Sequence, residues 1–276
     1  MFGGSGSMPE RRHEVPESAL SKRSDGLERK LKKEDIVTTG FPGFPPETLK
    51  FLRQLKKNNN RPWFQEHKEV YEEKVRQPMI DLVIALGGAM QAFAPEMVVD
   101  PRKAVYRIYR DTRFGADKTP YKTQVSAFFV PRGMQKGSAA GLYFHVDAAE
   151  LLIAGGLYMP GSPELRAIRA RVADHWKDLK AIVERREFKK MFGGLQGEKL
   201  GRAPQGYSPD HPAIEYLRYK QYLAWLTEPA TFAESPKLFP RLLTAFAAML
   251  PLVRFLNTAV SMVPARGFPA LERLGI

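Results

Sequence analysis

The chain has 276 residues, of which 43% are hydrophobic, and it carries a formal net charge of +13. This composition is sufficient for one substantial hydrophobic core. The lack of cysteine excludes disulfides, thiolate nucleophiles and cysteine-based zinc sites, and no run of about 18 apolar residues indicates a membrane span. Together with the lack of an apolar secretory segment after Met1, this favours the cytoplasm.

The first 40 residues are expected to form a disordered arm. They contain 8 basic and 7 acidic residues and few large apolar side chains, a composition that cannot bury a core. Gly3-Gly4-Ser5-Gly6-Ser7 resembles a flexible linker or a cloning remnant. We therefore expect a single folded domain over 41–260 and a short tail over 261–276.

Helical patterns open the domain. Leucines at helical spacing predict a first helix over 47–57. Asn58-Asn59-Asn60 can end that helix and cap the next one, in which Pro62 suits the first turn. A third helix is expected from Pro78 and should fray at Gly87-Gly88.

The middle of the chain is rich in β-branched and aromatic residues, which favours strands. Four strands with short connections are predicted, over 105–110, 125–130, 142–146 and 151–159. Short connections indicate antiparallel neighbours, because parallel strands need long crossovers. Gly155-Gly156 lies inside the last of these strands, where glycine usually marks a bulge or the close approach of another backbone.

Helical patterns return in the last third of the chain. We predict helices over 163–184, 212–225 and 237–257, with a loop rich in glycine and proline over 193–209. Helices followed by strands and then by helices are typical of an α+β fold. The expected architecture is an antiparallel sheet of about four or more strands, covered by N-terminal and C-terminal helices.

Positive charge is concentrated in one part of the predicted domain. Residues 101–137 contain 9 Lys or Arg against only Asp111 and Asp117, a net charge of +7. A basic patch in a folded region can attract phosphate, nucleic acid or acidic protein surfaces. The alternative is the solvated face of a generally basic protein.

The loop after the first predicted strand carries the densest group of cations, and guanidinium and ammonium groups can bind phosphate or carboxylate. The candidate ligand-binding residues are Arg107, Arg113, Lys118, Lys122 and Tyr121. Tyrosines such as Tyr106, Tyr109 and Tyr121 can stack on a base or another ring. In the alternative interpretation, Asp111 pairs with Arg113 or Arg107 and locks the loop. The segment lacks the glycine-rich run of a P-loop, so side chains would have to hold a phosphate.

Candidate acid–base groups lie elsewhere. Tyr143 and His145 share one face of the third predicted strand, and His211 lies at a predicted helix start, between a possible N-cap, Asp210, and Pro212. These three are the candidate catalytic residues, because histidine titrates near neutrality. A histidine on a half-buried strand is more often a hydrogen-bonded structural residue. The histidines and acids are too sparse for a metal site, and we assign neither a metal nor a cofactor.

These residues resemble the bacterial family called domain of unknown function 2461. The resemblance covers about residues 41–260. It rests on Phe51-Leu-Arg-Gln-Leu55, Arg61-Pro-Trp-Phe64, Arg107-Ile-Tyr-Arg-Asp111, Asp117-Lys-Thr-Pro-Tyr-Lys122, Gly155-Gly156, Met159-Pro160, Gly206-Tyr207 and His211-Pro212. It implies the domain limits and draws attention to the arginine-to-lysine block, but it implies no activity.

Three classes of function remain open. The leading hypothesis is a basic α+β protein that binds an anionic or phosphorylated ligand through the basic loop; the ligand would be a small molecule or a nucleic acid. The second is a structural or protein-interaction module whose charges are paired internally. The third is a hydrolase-type enzyme that uses the tyrosine and histidine groups for acid–base chemistry. The sequence alone assigns no reaction.

Overall fold

A computed structural model describes residues 40–113 and 116–263. Nearly all of the predicted arm, and most of the predicted tail, lie outside the described residues. The first helix, α1, spans Pro46–Lys57, as predicted, and its leucine stripe is fully buried. The Asn58 side chain donates to Gln54 O at 3.0 Å, and the Asn60 side chain caps α2 by accepting from Trp63 N at 3.0 Å. Both predicted roles of the asparagine run are confirmed.

The N-terminal helical layer continues without a long loop. α2 spans Arg61–Glu66, α3 spans Lys68–Tyr71, a π-helical turn spans Glu72–Arg76 and α4 spans Gln77–Met90. The prediction that the third helix frays at Gly87-Gly88 is wrong, because α4 continues to Met90. Gly87 lets Val99 approach, since a Cβ there would lie 3.2 Å from Val99 O. The short helix α5 (Pro101–Ala104) follows α4 along the chain, ahead of the first strand.

The described residues form one four-stranded antiparallel sheet with strand order β1-β2-β3-β4. The strands are β1 (Val125–Phe129), β2 (Gly141–Val146), β3 (Glu150–Leu157) and β4 (Tyr222–Pro229). The α+β class, the antiparallel pairing and three of the predicted strands are therefore confirmed.

The fourth strand is not the predicted one. Residues 105–110 pair with their neighbours only through isolated bridges, Val105 with Ala127 and Tyr109 with Tyr121, and through a few hydrogen bonds such as Tyr106 N to Ser126 O at 2.9 Å. This segment follows the free edge of β1, but its hydrogen bonds are too sparse for a regular strand. The predicted helix over 212–225 is also wrong, because its last four residues, 222–225, belong to β4.

The helices between β3 and β4 are shorter than predicted. The helix expected over 163–184 is divided at His175 into α6 (Ser162–Asp174) and α7 (Trp176–Val183). α8 (Arg186–Phe192) follows, and its Gly193 ends it with φ of 76°, in the left-handed region. α9 (Ile214–Leu217) occupies only the start of the predicted 212–225 helix.

The long helix α10 spans Leu238–Val260, preceded by a 3₁₀ turn at Ala230–Glu234, and it covers one face of the sheet. The Phe246 ring lies 5.8 Å from that of Phe129 and 6.4 Å from that of Phe144. Gly155 allows α10 to pack this closely on the sheet, because a Cβ at position 155 would lie 2.8 Å from Met249 Sδ. The expected close approach of another backbone is found at Gly156, where a Cβ would collide with the carbonyl oxygen of Tyr222 in β4.

By length and composition, α10 is the one helix among the described residues that could cross a membrane, and 61% of its most apolar window is buried inside the domain. That burial is typical of the central helix of a packed core. The opposite face of the sheet forms the floor of a cleft, and no second helix of this length covers it among the described residues.

Candidate functional site

The open face of the sheet forms a cleft of about 730 Å³, a volume typical of small-molecule sites. Side chains alternate along a strand, so every second residue of each strand faces the cleft. The central row consists of Phe128, Tyr143, Ala154 and Trp225, which are paired in register across the sheet. All four residues line the cleft.

A basic rim lies at the β1 edge of the cleft, and we define it as Tyr106, Lys122 and Lys136. Lys122 Nζ lies 4.9 Å from the centroid of the Tyr106 ring, and Lys136 Nζ lies 4.5 Å from it. Lys122 Nζ donates to Arg107 O at 3.0 Å, and Lys136 Nζ donates to Ala104 O at 3.3 Å. Two ammonium groups therefore converge on one aromatic ring at the cleft wall.

Burial and mutual repulsion disfavour the charged forms of the two lysines in the basic rim. Burial, and then the neighbouring Arg107 charge, lower the pKa of Lys122 below its ordinary value. Burial lowers the pKa of Lys136 as well, and the Lys122 charge lowers it further. Of the described residues that line the cleft, none is Asp or Glu. An anion in the cleft would compensate both ammonium groups.

A polar array lies on the cleft floor beside the basic rim. Gln124 Nε2 donates to Tyr143 Oη at 3.0 Å, and Tyr143 Oη lies 3.2 Å from Nδ1 of His145. Burial raises the pKa of Tyr143, so its phenol stays protonated near neutrality. Burial lowers the pKa of His145, against the raising effect of Asp147 and Glu150. A neutral imidazole beside a protonated phenol is an arrangement that can transfer a proton.

The far side of the cleft is apolar. Trp225 and the nearly buried Leu223 line it from β4, and Tyr158 and Met159 line it from the segment after β3. Tyr158 is 64% exposed and Met159 is 71% exposed. Large apolar side chains with this exposure are typical of surfaces that contact a ligand or partner.

The predicted basic loop is divided by the structure. Arg107, Arg113 and Lys118 are exposed and do not line the cleft, whereas Lys122 does. Arg113 forms an exposed ion pair with Asp111, with Nη2 to Oδ2 at 2.8 Å, as the alternative interpretation of the loop expected. Lys118 Nζ donates to Thr112 O at 2.9 Å. The two residues between these segments, 114 and 115, lie outside the described residues.

Tyr121 is a core residue, so the prediction that its ring contacts a ligand is wrong. It is 2% exposed, and its ring stacks on Phe64 with centroids 4.0 Å apart. The Asn59 side chain bonds both backbone groups of Tyr121, accepting from N at 3.0 Å and donating to O at 2.9 Å. The sequence places Tyr121 in a loop and does not show that its ring faces the helical layer.

His211 does not join the other two catalytic candidates in the cleft. Its Nδ1 accepts from Ala213 N at 3.0 Å, and its ring lies 6.2 Å from that of Tyr207. The helix here begins at Ile214, with Ala213 as its N-cap, so the predicted capping role of Asp210 and the first-turn position of Pro212 are wrong.

Gln124, Lys136 and Trp225 are among the cleft residues that the sequence did not indicate. Lys136 was counted in the basic segment 101–137, but nothing in its surroundings, Gly133 to Gly137, indicated that the connection folds over the sheet. Trp225 was placed in a helix. A strand assigned to 222–229 would have put Trp225 on one face of the sheet.

The described residues contain no group of three or more His, Asp or Glu side chains that could hold a metal ion. No curated protein and no solved structure matches the chain. One family model does match, over residues 47–255, which is more than half of the chain. The chain therefore belongs to the family described as conserved hypothetical protein (DUF2461).

Proposed function

We propose that this protein binds a small anionic ligand in the sheet cleft, with Lys122 and Lys136 as the charged contacts. The observation that carries this proposal is the convergence of two partly buried ammonium groups on Tyr106, with no carboxylate among the described residues of the cleft. An ammonium group has three N–H donors. Each lysine uses one on a backbone carbonyl, which leaves donors for a phosphate or carboxylate.

The proposal keeps Lys122 from the predicted basic loop and replaces its exposed members by Lys136. Exposed cations are well solvated and gain little from an anion, whereas charge-assisted hydrogen bonds inside a cleft are stronger. The size of the cleft also favours a small molecule over a nucleic acid strand, which would need a longer groove.

Calorimetric titration at low salt tests this role, with inorganic phosphate and methyl phosphate as probes. Lys122→Met and Lys136→Met should each weaken binding about tenfold or more, because a hydrogen bond to a charged group is lost. Lys118→Met is the matched control, since it removes the same charge from outside the cleft. Absence of binding by the wild-type protein, or an equal loss in Lys118→Met, would contradict the cleft site.

A single-stranded oligonucleotide forms a separate arm of the same titration. If the exposed residues Arg107, Arg113 and Lys118 bind nucleic acid, their substitution should weaken oligonucleotide binding and reduce its salt dependence. Binding of the oligonucleotide without binding of either phosphate would favour this outer-loop alternative. Failure of every anion to bind would favour a structural or protein-interaction module.

Acid–base catalysis is the second candidate function, and the hydrogen-bonded array of Gln124, Tyr143 and His145 favours it. The Gln124 amide occupies a lone pair of the Tyr143 oxygen, so the phenolic hydrogen is available to His145 or to a bound substrate. Release of 4-nitrophenol from its phosphate and acetate esters tests hydrolysis. Tyr143→Phe and His145→Asn should abolish turnover while methyl phosphate still binds.

His211→Asn is the matched control for that experiment, because His211 lies outside the cleft. Turnover that survives both cleft substitutions, or that falls equally in the control, would contradict a catalytic role for the pair. A wild-type protein without turnover of either ester would support the binding role alone.

A further inference from the structure

The cleft has a polar end and an apolar end, on opposite edges of the sheet. The basic rim is beside β1, since Tyr106 N donates to Ser126 O of that strand. Trp225 and Leu223 belong to β4, the other edge strand. Neighbouring strands are separated by about 4.8 Å, so β1 and β4, the strands nearest the two ends, lie about 14 Å apart across the sheet.

Small residues form one part of the floor between the two ends. Ala154 lies between Tyr143 and Trp225 in the central row, and Gly141 pairs with Gly156 in the next row. Tyr143 and His145 of β2 and Leu152 of β3 also face the cleft, so the trough is the gap over Ala154 and Gly156, between Tyr143 and Trp225. A body of several carbon atoms could lie in this trough and contact the indole of Trp225.

An inorganic anion would leave most of this cleft unused. Its volume of about 730 Å³ is in the range of sites for drug-sized molecules. Among the described residues, five large hydrophobic side chains are exposed, and two of these, Tyr158 and Met159, line this cleft. A ligand that joins an anionic group to an apolar body would therefore compensate the lysine charges and bury apolar surface in the same cleft.

We infer that the ligand is an amphipathic anion, with a phosphate or carboxylate held at the basic rim and an alkyl or aryl body lying over Ala154 against Trp225. This inference rests on the proposed anion-binding function and names its ligand class. The charged end sets the position of the ligand, and the apolar end supplies affinity that a free anion lacks.

Titration of the full chain with methyl, butyl and hexyl phosphate tests the inference. From methyl to hexyl phosphate the dissociation constant should fall at least about tenfold, because several methylene groups leave water. Hexanoate in place of hexyl phosphate identifies which anionic group the rim prefers. Hexanol, which has the same chain without the charge, should bind much more weakly than hexyl phosphate.

Two substitutions locate the apolar part. Ala154→Leu fills the trough and Trp225→Ala removes its far wall, so each should remove most of the gain from chain length. Methyl phosphate binding should change by no more than about twofold in either variant, because neither touches the lysines. Thr227→Leu is the matched control, since it adds the same side chain on the same face of β4 but outside the cleft.

The results separate this inference from the proposed function. If methyl phosphate binds through Lys122 and Lys136 but chain length has no effect, the anion site stands and the amphipathic ligand is wrong. A gain from chain length that persists in both trough variants would overturn it too, as would equal binding of hexanol and hexyl phosphate. If Ala154→Leu lowers the melting temperature strongly, Trp225→Ala alone decides.

Discussion

The side-chain amide of Asn257 makes both of its hydrogen bonds to the backbone of Ala140. Asn257 Oδ1 accepts from Ala140 N at 2.9 Å, and Asn257 Nδ2 donates to Ala140 O at 2.9 Å. Both residues are buried, and 117 positions separate them in the sequence. The Asn257 side chain in α10 thus satisfies the N–H and C=O of Ala140, which lies just before β2 and outside the hydrogen bonds of the sheet.

Asn257→Ala should destabilise the protein by about 2–4 kcal/mol, because it leaves a buried N–H and a buried C=O without partners. Chemical denaturation measures the change. Thr258→Ala is the matched control: its exposed hydroxyl bonds only Arg254 O within its own helix. A loss in Asn257→Ala no larger than that in the control would show that water replaces the amide.

The contact between Gly155 and Met249 gives a second prediction. Gly155→Ala would place a Cβ 2.8 Å from Sδ and 2.9 Å from Cβ of Met249, so α10 would have to move. We expect a loss of about 1–3 kcal/mol in unfolding free energy from this overpacking. Thermal or denaturant unfolding checks it.

The double variant Gly155→Ala, Met249→Ala distinguishes steric conflict from a backbone effect. Met249→Ala creates space for the new methyl group, so the two losses should sum to more than the loss of the double variant. Gly201→Ala is the control for glycine replacement, because a Cβ there meets nothing within 4 Å. Strict additivity of the two changes would contradict the steric explanation.

The predictability of this fold from sequence depended on how local its determinants are. The leucine stripe of α1, the capping asparagines and the alternating strands β1 to β3 are local patterns, and all were predicted. β4 was not, because Tyr222-Leu-Ala-Trp-Leu226 is a short apolar run without a clear period, which cannot be distinguished from a helix end by pattern alone. Its identity as a strand comes from pairing with β3.

Only part of the candidate site was predicted, because only some of its residues belong to a local sequence pattern. Tyr143 and His145 were found because they share a face of one strand, and Lys122 because it lies in a dense group of cations. Lys136 and Trp225 join them only through tertiary structure, one on a connection and one on the missed strand. Tyr121 was misassigned because the sequence did not reveal that Phe64 and Asn59 enclose it.

Two arginines should differ in their contribution to stability. Arg254 bonds Glu96 through two nitrogens, at 2.7 and 3.1 Å, and also donates to Phe93 O at 2.9 Å, which ties α10 to the end of the α4 region. Arg254→Ala should cost about 1–2 kcal/mol, reduced by its partial exposure. Arg113→Ala should leave the melting temperature nearly unchanged, because Arg113 and Asp111 are exposed and close in sequence.

The pH dependence of that comparison has a defined sign. The hydrogen bonds from Arg254 lower the pKa of Glu96 below its ordinary value of 4.5. The stabilisation is therefore present above about pH 4.5 and is lost as the pH falls through the lower folded-state pKa. The difference in unfolding free energy between wild type and Arg254→Ala should shrink in acid. A difference that stays constant down to acid pH would contradict the role of the Glu96 carboxylate.

His145 gives the last prediction, because its environment favours the neutral imidazole. Burial lowers the pKa of His145 below the ordinary 6.5, although the carboxylates of Asp147 and Glu150 act in the opposite direction. Tyr143, which also faces the ring, keeps its proton since burial raises its pKa. Below pH 6.5 the unfolded chain therefore binds a proton that the folded protein resists. Folding stability should fall as the pH is lowered from 6.5 towards the folded-state pKa.

His145→Asn removes this proton-binding group. The unfolding free energy of the wild type, measured relative to that of His145→Asn, should therefore decrease from about pH 7.5 to about pH 5, above the usual range of carboxyl titration. Denaturant unfolding at a series of pH values measures this difference, and an NMR titration of the imidazole should give a midpoint below 6.5. A pH-independent difference would mean that folding leaves the pKa of His145 unchanged, whereas a midpoint above 6.5 would mean that the cleft favours a charged imidazole. It would then supply a third cation to the basic rim rather than a proton acceptor beside Tyr143.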